Sequence, residues 1–320
     1  MDSLDVLYTI DKKYIDMMLG SILSMIINSD IKNLRFHIIT SGCDLSDYEK
    51  IENVILKYSN SEICFYDVDS FNIERFNIPN WRGTQIANAR LFFQELLDDN
   101  LSRMSNLLYI DSDTIVINSL TDLEKYKENK INAVKDGCSK KYIENLNLKE
   151  YFNSGVLFFN VEEWIRGDCQ DRLIHFIEQN EKDLVYPDQD ILNMTFEEEI
   201  SQIPVNYNLG TNAYMYNYNL LKKYYEKRIV SIEEIEEAKN DPKILHSTGI
   251  LGIKPWMENN INPFNYDFMK YIYMANPEFK KMDISLLKKI LTLSPFLFKA
   301  MLLTKEFIPE KVSKLIRKID

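Results

Sequence analysis

Cysteine, glycine and histidine are scarce in this sequence of 320 residues, and their scarcity excludes several kinds of site. The four cysteines are widely spaced and form no Cys-x-x-Cys pair, which favours free thiols in a reducing cytosol over a zinc site or a disulfide framework. The nine glycines include no G-x-G-x-x-G and no Walker A sequence. The dinucleotide-binding and P-loop classes therefore have no motif behind them.

Long apolar runs and an excess of positive charge are also absent. No run reaches the roughly 20 uninterrupted apolar residues that a membrane-spanning helix needs. The first residues lack the basic flank and apolar stretch of a signal peptide, so we expect a cytoplasmic location. Acidic residues outnumber basic ones by 49 to 38, which argues against a nucleic-acid partner, because such binding depends on clustered Lys and Arg. An anionic ligand would therefore need local help, such as a metal ion.

Short apolar runs alternate with amphipathic segments along most of the chain, which predicts an α/β fold. The predicted strands cover residues 6–10, 35–39, 62–66, 107–110 and 155–160, and the predicted helices cover 14–27, 47–58, 86–97, 162–179 and 231–239. No internal repeat or low-complexity linker precedes about residue 265. We therefore expect a single domain over residues 1–265.

A pair of carboxylates one residue apart, Asp111 and Asp113, stands between two apolar runs. Side chains in this spacing on a strand point the same way, so such a pair at a strand end can meet one hard cation. Two other D-x-D pairs occur, at positions 67 and 69 and at positions 188 and 190. What distinguishes the first pair is the apolar run that resumes directly after it, which predicts a rigid, sheet-like setting instead of a loop tip. This pair is the first candidate to hold a metal-bound phosphate ligand.

The last part of the chain differs in composition. Residues 280–320 contain ten Lys or Arg and four Asp or Glu, interleaved with many Leu, Ile and Phe residues. Short basic amphipathic helices of this kind suit the interface of an anionic membrane. We therefore expect residues 266–320 to form a C-terminal helical segment that places the protein peripherally on the inner face of the cell membrane. A basic helical tail packed on the acidic domain is the alternative.

Six short segments follow one another along the chain. They are Thr9-Ile10-Asp11-x-x-Tyr14, Ala89-Arg90-Leu91, Leu108-Tyr109-Ile110-Asp111-Ser112-Asp113, Phe152-Asn153-Ser154-Gly155-Val156-Leu157, Asp188-Gln189-Asp190-Ile191-Leu192-Asn193, and Ile244-Leu245-His246-x-x-Gly249 with Lys254-Pro255-Trp256. In this order and at these spacings they resemble the bacterial members of glycosyltransferase family 8, retaining enzymes that include lipopolysaccharide galactosyl- and glucosyltransferases and, more distantly, glycogenin. The resemblance implies a Rossmann-like GT-A fold with a small C-terminal helical extension.

The resemblance also implies a metal ion held by Asp111, Asp113 and His246. Mn²⁺ is the expected ion, with Mg²⁺ as the alternative, because an imidazole beside two carboxylates suits Mn²⁺ better than a cation that prefers an all-oxygen shell. The other two histidines lie in predicted elements, His37 in a strand and His175 in a helix. Core or surface roles are expected for both.

Further residues are assigned to the donor by the same family pattern. Contacts with UDP are implied for Thr9, Asp11, Tyr14, Asp111, Ser112, Asp113, Gly249 and Lys254. Lys254 would place its charge on the diphosphate as its loop closes. Catalytic and donor-sugar contacts are implied for Arg90, Asn153, Asp188 and Gln189. One departure from the pattern is Lys13, which stands where many members have an asparagine.

The activity implied is metal-dependent, retaining transfer of galactose or glucose from a UDP-hexose to a cell-surface glycan, glycolipid or glycoprotein, with formation of an α-linkage. Because the amide of Gln189 is a poor nucleophile, front-face departure and attack is the expected route. A covalent route through Asp188 or Asp190 stays open. So do two other functions, a nucleotide-sugar hydrolase or nucleotidyltransferase that uses the same metal site, and a catalytically silent sugar-binding protein.

Overall fold

The computed structural model describes residues 1–80, 84–137, 140–180, 184–224, 230–248, 253–258 and 261–283. The strands are β1 (Ser3–Asp11), β2 (Asn33–Ser41), β3 (Glu62–Asp67), β4 (Asn106–Ile110), β5 (Thr114–Val116), β6 (Ile131–Lys135), β7 (Phe152–Asn160), β8 (Ile200–Gln202), β9 (Leu209–Gly210) and β10 (Ile244–His246). These strands form two sheets, and the polar side chains of the candidate site lie where the sheets meet.

The α-helices are α1 (Ile15–Asn28), α2 (Leu45–Leu56), α3 (Phe93–Leu96), α4 (Asp98–Leu101), α5 (Lys140–Leu146), α6 (Val161–Arg166), α7 (Cys169–Gln179), α8 (Pro187–Phe196), α9 (Thr211–Met215), α10 (Tyr218–Tyr224), α11 (Ile232–Asn240) and α12 (Asn265–Ala275). Short 3₁₀ helices cover Lys12–Tyr14, Val68–Ser70, Ile73–Phe76, Ile86–Phe92, Thr121–Tyr126 and Val205–Asn208. Within the described residues, none of the helices has the length and apolar character to cross a membrane.

The central sheet has seven strands in the order β3-β2-β1-β4-β7-β6-β8. Strands β1 to β4 run parallel, whereas β7 runs antiparallel to both β4 and β6. The carboxyl ends of β1, β4 and β6 and the amino end of β7 therefore meet at one edge. Asp111, Asp136 and Asn153 lie at these strand ends, and open α/β sheets bind their ligands at this edge.

A second, three-stranded sheet brings a distant part of the chain to the same edge. Its order is β5-β10-β9, with β10 antiparallel to β5 and parallel to β9. This pairing places His246 opposite Thr114, directly after Asp113. The backbone N–H of Ser247 donates to the carbonyl of Asp113 at 2.9 Å, which extends the connection past the end of β10.

Two clusters of buried apolar side chains cover the two faces of the central sheet. In β1, Val6, Tyr8 and Ile10 belong to one cluster and Leu7 to the other, because successive side chains on a strand point to opposite faces. Both faces are apolar, which explains why the parallel strands read as continuous hydrophobic runs in the sequence. The predicted α/β fold is confirmed, and every predicted strand lies within an observed one.

Helix α12 packs on α1 and is part of the first of these clusters. Ile272 of α12 is fully buried, and a β-carbon on Gly20 of α1 would lie 2.9 Å from its Cγ1. The absence of a side chain at Gly20 is what lets the two helices approach so closely. Residues 266–283 of the expected C-terminal extension therefore pack against the α/β unit. Residues 284–320, which contain most of the basic and apolar side chains of that extension, lie outside the described residues.

The predicted helix over residues 162–179 is wrong in its continuity. The chain leaves the helical path at Gly167 and at Asp168, whose φ is +47°, so α6 and α7 are separate helices. A β-carbon on Gly167 would lie 2.8 Å from Lys130 Nζ and 3.1 Å from the Glu163 carbonyl oxygen. Glycine accommodates this close approach and aspartate tolerates a left-handed conformation, which explains the break. The predicted helix over residues 86–97 also differs, since it begins as a 3₁₀ helix.

Candidate active site

Three metal-binding side chains meet where the two sheets join. Asp111 and Asp113 belong to the turn between β4 and β5, and His246 is the last residue of β10. One ligand atom from each of the three lies within 4.8 Å of the other two. His246 Nε2 is 3.2 Å from Asp113 Oδ1 and 3.7 Å from Asp111 Oδ2. Two carboxylates and an imidazole in this arrangement can hold one divalent cation.

Gly155, in β7, leaves the space that such a cation needs. A β-carbon at this position would lie 2.3 Å from His246 Cε1 and 2.6 Å from Asp111 Oδ2, closer than real β-carbons approach other atoms. Any side chain here would therefore fill the gap between the ligands. The gap and its mixed nitrogen and oxygen donors therefore suit a divalent metal ion. The sequence analysis quoted Gly155 within a segment but assigned it no role.

Two cations flank the carboxylate pair. Lys254 Nζ donates to Asp113 Oδ2, and Arg90 Nη2 lies 3.0 Å from Asp111 Oδ1. Burial raises the pKa of Asp113, but the neighbouring charge and hydrogen bond of Lys254 lead the effects that hold that pKa far below its ordinary value. Burial raises the pKa of Asp111, with a contribution from the neighbouring Asp113 charge, although Arg90 opposes the shift. The two carboxylates thus differ in basicity.

The residues predicted to contact the donor sugar are clustered beside this pair. Asp188 and Gln189 lie in the first turn of α8, next to Ser154 of β7. Asp188 Oδ2 accepts from Ser154 Oγ at 2.8 Å and lies 3.3 Å from Arg90 Nε. Gln189 Oε1 accepts from the backbone N–H of Ser154 at 3.0 Å. Arg90, Asp188 and Gln189 are nine-tenths buried or more, so their positions are set by these bonds.

Two polar residues that the sequence analysis missed complete the cluster. Asp136 Oδ2 accepts from Asn153 Nδ2 and from Gln189 Nε2, both at 3.1 Å, and burial raises the pKa of Asp136. Asn208 Oδ1 lies 2.8 Å from His246 Nδ1. Asp136 directly follows the apolar strand β6, and this position at a strand end was a signal that could have identified it. Nothing in the local sequence distinguishes Asn208.

The predicted nucleoside residue Thr9 is connected to the carboxylate pair through a tyrosine. Thr9 Oγ1 is 3.1 Å from the hydroxyl of Tyr109, which donates to Asp111 Oδ1 at 2.6 Å. The Tyr109 ring also lies under the guanidinium of Arg90, at 4.3 Å from its centre. Ser112 is half-buried in the turn between the two aspartates. The end of β1 and the end of β4 therefore form one continuous polar surface.

The other predicted nucleoside residues lie at the helical turn that follows β1. Asp11 caps this turn by accepting from the backbone N–H of Lys13 at 2.9 Å. Tyr14 packs edge-to-face on Trp256, with ring centres 6.2 Å apart. This contact joins the first predicted family segment to the last. Gly249 lies outside the described residues.

The remaining D-x-D pairs have other partners. Asp190 is completely buried, accepting from the hydroxyl of Tyr142 at 2.6 Å and from the backbone N–H of Tyr186 at 2.9 Å. Asp69, exposed in the 3₁₀ helix Val68–Ser70, accepts from the backbone N–H of Gly42 at 2.9 Å. Among the described residues, Asp111, Asp113 and His246 alone form a group with metal-binding spacing.

The other two histidines have the predicted core and surface roles. His37 is fully buried in β2, between Asp5 Oδ1 at 3.0 Å and the hydroxyl of Tyr66 at 2.8 Å. His175 is exposed on α7. Neither belongs to the metal-binding group of Asp111, Asp113 and His246.

The chain resembles proteins of known family over most of its length. Residues 5–260 match the family described as Glycosyl transferase family 8. A lipopolysaccharide 1,2-glucosyltransferase from Escherichia coli is 28% identical over 289 residues, which covers 86% of this chain and 79% of that protein. General stress protein A from Bacillus subtilis is 25% identical over 274 residues, covering 82% of this chain and 90% of that protein.

Solved structures resemble the whole α/β unit. The galactosyltransferase LgtC, crystallised with donor and acceptor sugar analogues, superposes with a TM-score of 0.70 at 23% identity, covering 84% of this chain and 95% of LgtC. The bifunctional glycosyltransferase WbbM superposes with a TM-score of 0.67 at 22% identity, covering 85% of this chain and 50% of WbbM. These likenesses confirm the predicted GT-A fold.

Proposed function

Because this chain belongs to glycosyl transferase family 8, we propose that it is a metal-dependent, retaining hexosyltransferase. The proposed donor is UDP-galactose or UDP-glucose, the proposed ion is Mn²⁺, and the new bond is an α-linkage. The acceptor is a cell-surface glycan, a glycolipid or a glycoprotein. The observation that carries this proposal is the convergence of Asp111, Asp113 and His246, from two different sheets, around the space that Gly155 leaves open.

The charges around this space suit a nucleoside diphosphate. A bound divalent cation would neutralise part of the charge that develops on the diphosphate as it leaves. The ammonium of Lys254 is hydrogen-bonded to Asp113 beside the same space, where it can place a further positive charge on a phosphate. Thr9 lies within reach of the same surface through Tyr109, which supports placing the nucleoside at the end of β1.

The contacts of Asp190 argue against one of the two covalent routes and in this way support front-face transfer. Both oxygens of Asp190 are engaged, one by the hydroxyl of Tyr151 and the other by that of Tyr142. Asp188 is held by Ser154 and lies beside Arg90. An aspartate that attacks an anomeric carbon needs a free oxygen, and Asp190 has none, so the covalent alternative is confined to Asp188, whose described contacts are both on Oδ2.

The acceptor is proposed from the relatives and from the C-terminal composition. The names of the Escherichia coli relatives refer to lipopolysaccharide, a glycan built on a lipid. The basic and apolar pattern of residues 280–320 suits contact with an anionic membrane, where such an acceptor would be found. We therefore place the protein at the inner face of the cell membrane.

Product analysis tests this function directly. The full chain is incubated with UDP-galactose or UDP-glucose, with and without Mn²⁺ and a lipid-linked oligosaccharide, and UDP and glycosylated acceptor are quantified. Release of UDP that needs both Mn²⁺ and acceptor is the expected result, and Asp111→Asn and His246→Ala should abolish it. Asp69→Asn, in the exposed D-x-D pair, is the matched control and should keep full activity.

The alternatives give different products in the same assay. Release of UDP without acceptor would indicate a nucleotide-sugar hydrolase, and release of a nucleoside monophosphate would indicate a nucleotidyltransferase. Mn²⁺-dependent binding of UDP-sugar with no product would indicate a silent sugar-binding protein. Full activity of either the Asp111 or the His246 variant would refute the assignment of the metal site.

A further inference from the structure

Asn208 stands between the metal-binding group and the residues proposed to hold the donor sugar. It is the last residue of the 3₁₀ helix Val205–Asn208, directly before β9, and its side chain is nine-tenths buried or more. Its Oδ1 lies 2.8 Å from His246 Nδ1, and its Nδ2 lies 2.8 Å from Asn153 Oδ1. Both ends of this carboxamide are therefore used inside the protein.

A backbone N–H determines which way this carboxamide is oriented. The N–H of Gly155 can only donate, and it donates to Asn153 Oδ1 at 2.9 Å, so this atom of Asn153 is the acceptor oxygen. The group of Asn208 that faces the same oxygen must then be its NH₂ donor. Its remaining atom, the acceptor Oδ1, consequently faces His246, and Nδ1 of that imidazole must carry a hydrogen.

This orientation prepares His246 to bind a cation. With the hydrogen of the neutral ring on Nδ1, the lone pair is on Nε2, which faces Asp113 Oδ1 at 3.2 Å and Asp111 Oδ2 at 3.7 Å. Three acceptor atoms then converge with no hydrogen between them, an arrangement that a shared cation stabilises. A partner on the second ring nitrogen also fixes the ring orientation and strengthens the ligand.

The other arm of the network leads to the donor-sugar side. Asn153 Nδ2 donates to Gln189 Oε1 at 3.2 Å and to Asp136 Oδ2 at 3.1 Å. Since Asn153 Oδ1 accepts from Gly155 and Asn208, every hydrogen-bonding position of the Asn153 amide is engaged within the protein. A shift of Asn208 would therefore move Asn153, and with it the amide of Gln189.

We propose that Asn208 is a positioning residue that couples the metal site to the donor-sugar site. Its Oδ1 selects the metal-binding tautomer of His246, and its Nδ2 holds Asn153 in the position that orders Gln189. This role rests on the proposed function, because it assumes that the metal and a nucleotide sugar bind at these two places. The two arms use different atoms of one amide, so they can be separated by substitution.

The experiment measures binding of Mn²⁺ and of nucleotides to the purified full chain. Free Mn²⁺ is followed by electron paramagnetic resonance, and binding of UDP, UDP-galactose and UDP-glucose in the presence of Mn²⁺ is followed by calorimetry. Asn208→Ala removes both arms, and Asn208→Asp keeps the acceptor for His246 but removes the donor to Asn153. Asn206→Ala, in the same 3₁₀ helix, is the matched control, since the side-chain amide of Asn206 donates to the Asp241 carbonyl at 3.2 Å and contacts neither arm of the network.

The three variants have distinct expected results. Asn208→Ala should weaken Mn²⁺ binding by about 10–100-fold, as loss of a partner behind a metal-binding histidine does. Asn208→Asp should bind Mn²⁺ and UDP as the wild type does, but its affinity for the UDP-sugars, relative to UDP, should be lower than that of the wild type. Asn206→Ala should change neither, and the unfolding temperatures of all three identify any variant that fails to fold.

Three outcomes would overturn the coupling role. The first is a folded Asn208→Ala protein that binds Mn²⁺ with wild-type affinity, and the second is a folded Asn208→Asp protein that binds Mn²⁺ more weakly than the wild type. The third is an Asn208→Asp protein whose affinity for the UDP-sugars, relative to UDP, equals that of the wild type. If Asn208→Ala does not fold, the Asp variant alone decides between these results. A wild-type chain that binds no Mn²⁺ would instead refute the proposed function itself, so the two failures are distinguishable.

Discussion

Gly155 and His246 face each other across the junction of the two sheets, and a β-carbon on Gly155 would stand 2.3 Å from His246 Cε1. Gly155 belongs to the central sheet and His246 to the small one. The space between Gly155 and His246 is thus too small to admit a side chain at position 155. The carboxylates of Asp111 and Asp113 border the same space, which makes it a place for a cation.

Gly155→Ala is expected to disable this site while leaving the protein folded. The added methyl group would push His246 and Asp111 apart, and a displacement of about 1 Å of a catalytic group can cost about a hundredfold in rate. Mn²⁺ binding and UDP release measure the effect, and thermal unfolding measures the fold. The prediction fails if the variant binds Mn²⁺ as tightly as the wild type.

Gly20→Ala is the contrasting variant. A β-carbon there would lie 2.9 Å from Ile272 Cγ1 and 3.2 Å from the Ile272 backbone nitrogen, which cannot move away without shifting α12. Overpacking of this kind typically costs about 1–3 kcal/mol of stability. Chemical denaturation should show this loss, whereas Mn²⁺ affinity of the folded protein should stay unchanged. Equal effects of the two glycine variants on Mn²⁺ affinity would contradict the distinction.

Arg90→Lys is expected to abolish most activity although it keeps the positive charge. The guanidinium lies 3.0 Å from Asp111, donates to the Ser154 carbonyl at 2.8 Å and covers the ring of Tyr109. A lysine ammonium cannot match these planar contacts at once. Leaving a buried acceptor unpaired costs about 1–3 kcal/mol. Both the rate of UDP release and the free energy of unfolding, measured in urea, should therefore fall.

Arg75→Lys is the matched control for that substitution. Arg75 also lies over aromatic rings, those of Phe71 and Phe76, and pairs with Glu95 at 3.2 Å, but about half of its side chain is exposed. Exposed pairs contribute about 0–1 kcal/mol, so this variant should stay near wild type in both assays. If Arg75→Lys and Arg90→Lys behave alike, burial is not what makes Arg90 irreplaceable.

Truncation is expected to separate folding from membrane contact. A chain that ends at residue 283 retains α12 and its packing on α1, so it should unfold as cooperatively as the full chain. It should no longer sediment with vesicles that contain anionic phospholipid, because it lacks most of the basic and apolar residues of the C-terminal segment. Sedimentation of this shortened chain at the full-length level would refute the membrane role of residues 284–320.

A chain that ends at residue 264 provides the control. It lacks α12, including the buried Phe268 and Ile272, and therefore exposes the face of α1 on which they pack. Loss of this buried apolar surface should leave the protein unfolded or aggregated. A stable protein after this cut would contradict the assignment of α12 to the main core.

Glu199 is expected to stabilise the protein at neutral pH but not in acid. Arg172 first, and then Lys130, hold the pKa of Glu199 at about 2, below its ordinary value of 4.5. A carboxylate with a lowered pKa in the folded state contributes its stability above the unfolded pKa and loses it as pH falls through the folded value. Glu199→Gln should therefore cost about 1 kcal/mol at pH 7, and the difference should shrink as the pH falls from 4.5 towards 2.

Urea unfolding at pH 7, 5 and 3 checks this dependence. Glu198→Gln is the neighbouring control, since Glu198 is 83% exposed and pairs with Lys149 at 3.4 Å, so it should have little effect at any pH. A Glu199 difference that grows on acidification would contradict the assigned sign.

The sequence by itself determined five of the ten strands observed among the described residues and the first half of the site. Short continuous apolar runs predicted these strands, because both faces of the central sheet are covered by apolar side chains. Asp111 and Asp113 were identified because a carboxylate pair between apolar runs needs no knowledge of distant residues. The same local reasoning predicted core or surface roles for His37 and His175, and the structure buries His37 and exposes His175.

Only the tertiary structure decided how the site is completed. The family resemblance implied His246 as the third ligand, but the reason why it meets the aspartates is the pairing of β10 with β5, which leaves no mark in the local sequence. Asn208 is a polar residue in a short 3₁₀ helix. Its proposed role depends on the orientation of its side-chain amide, which Gly155 determines through Asn153. Residue types and periods are local properties, whereas the direction of a hydrogen bond depends on what the fold places opposite.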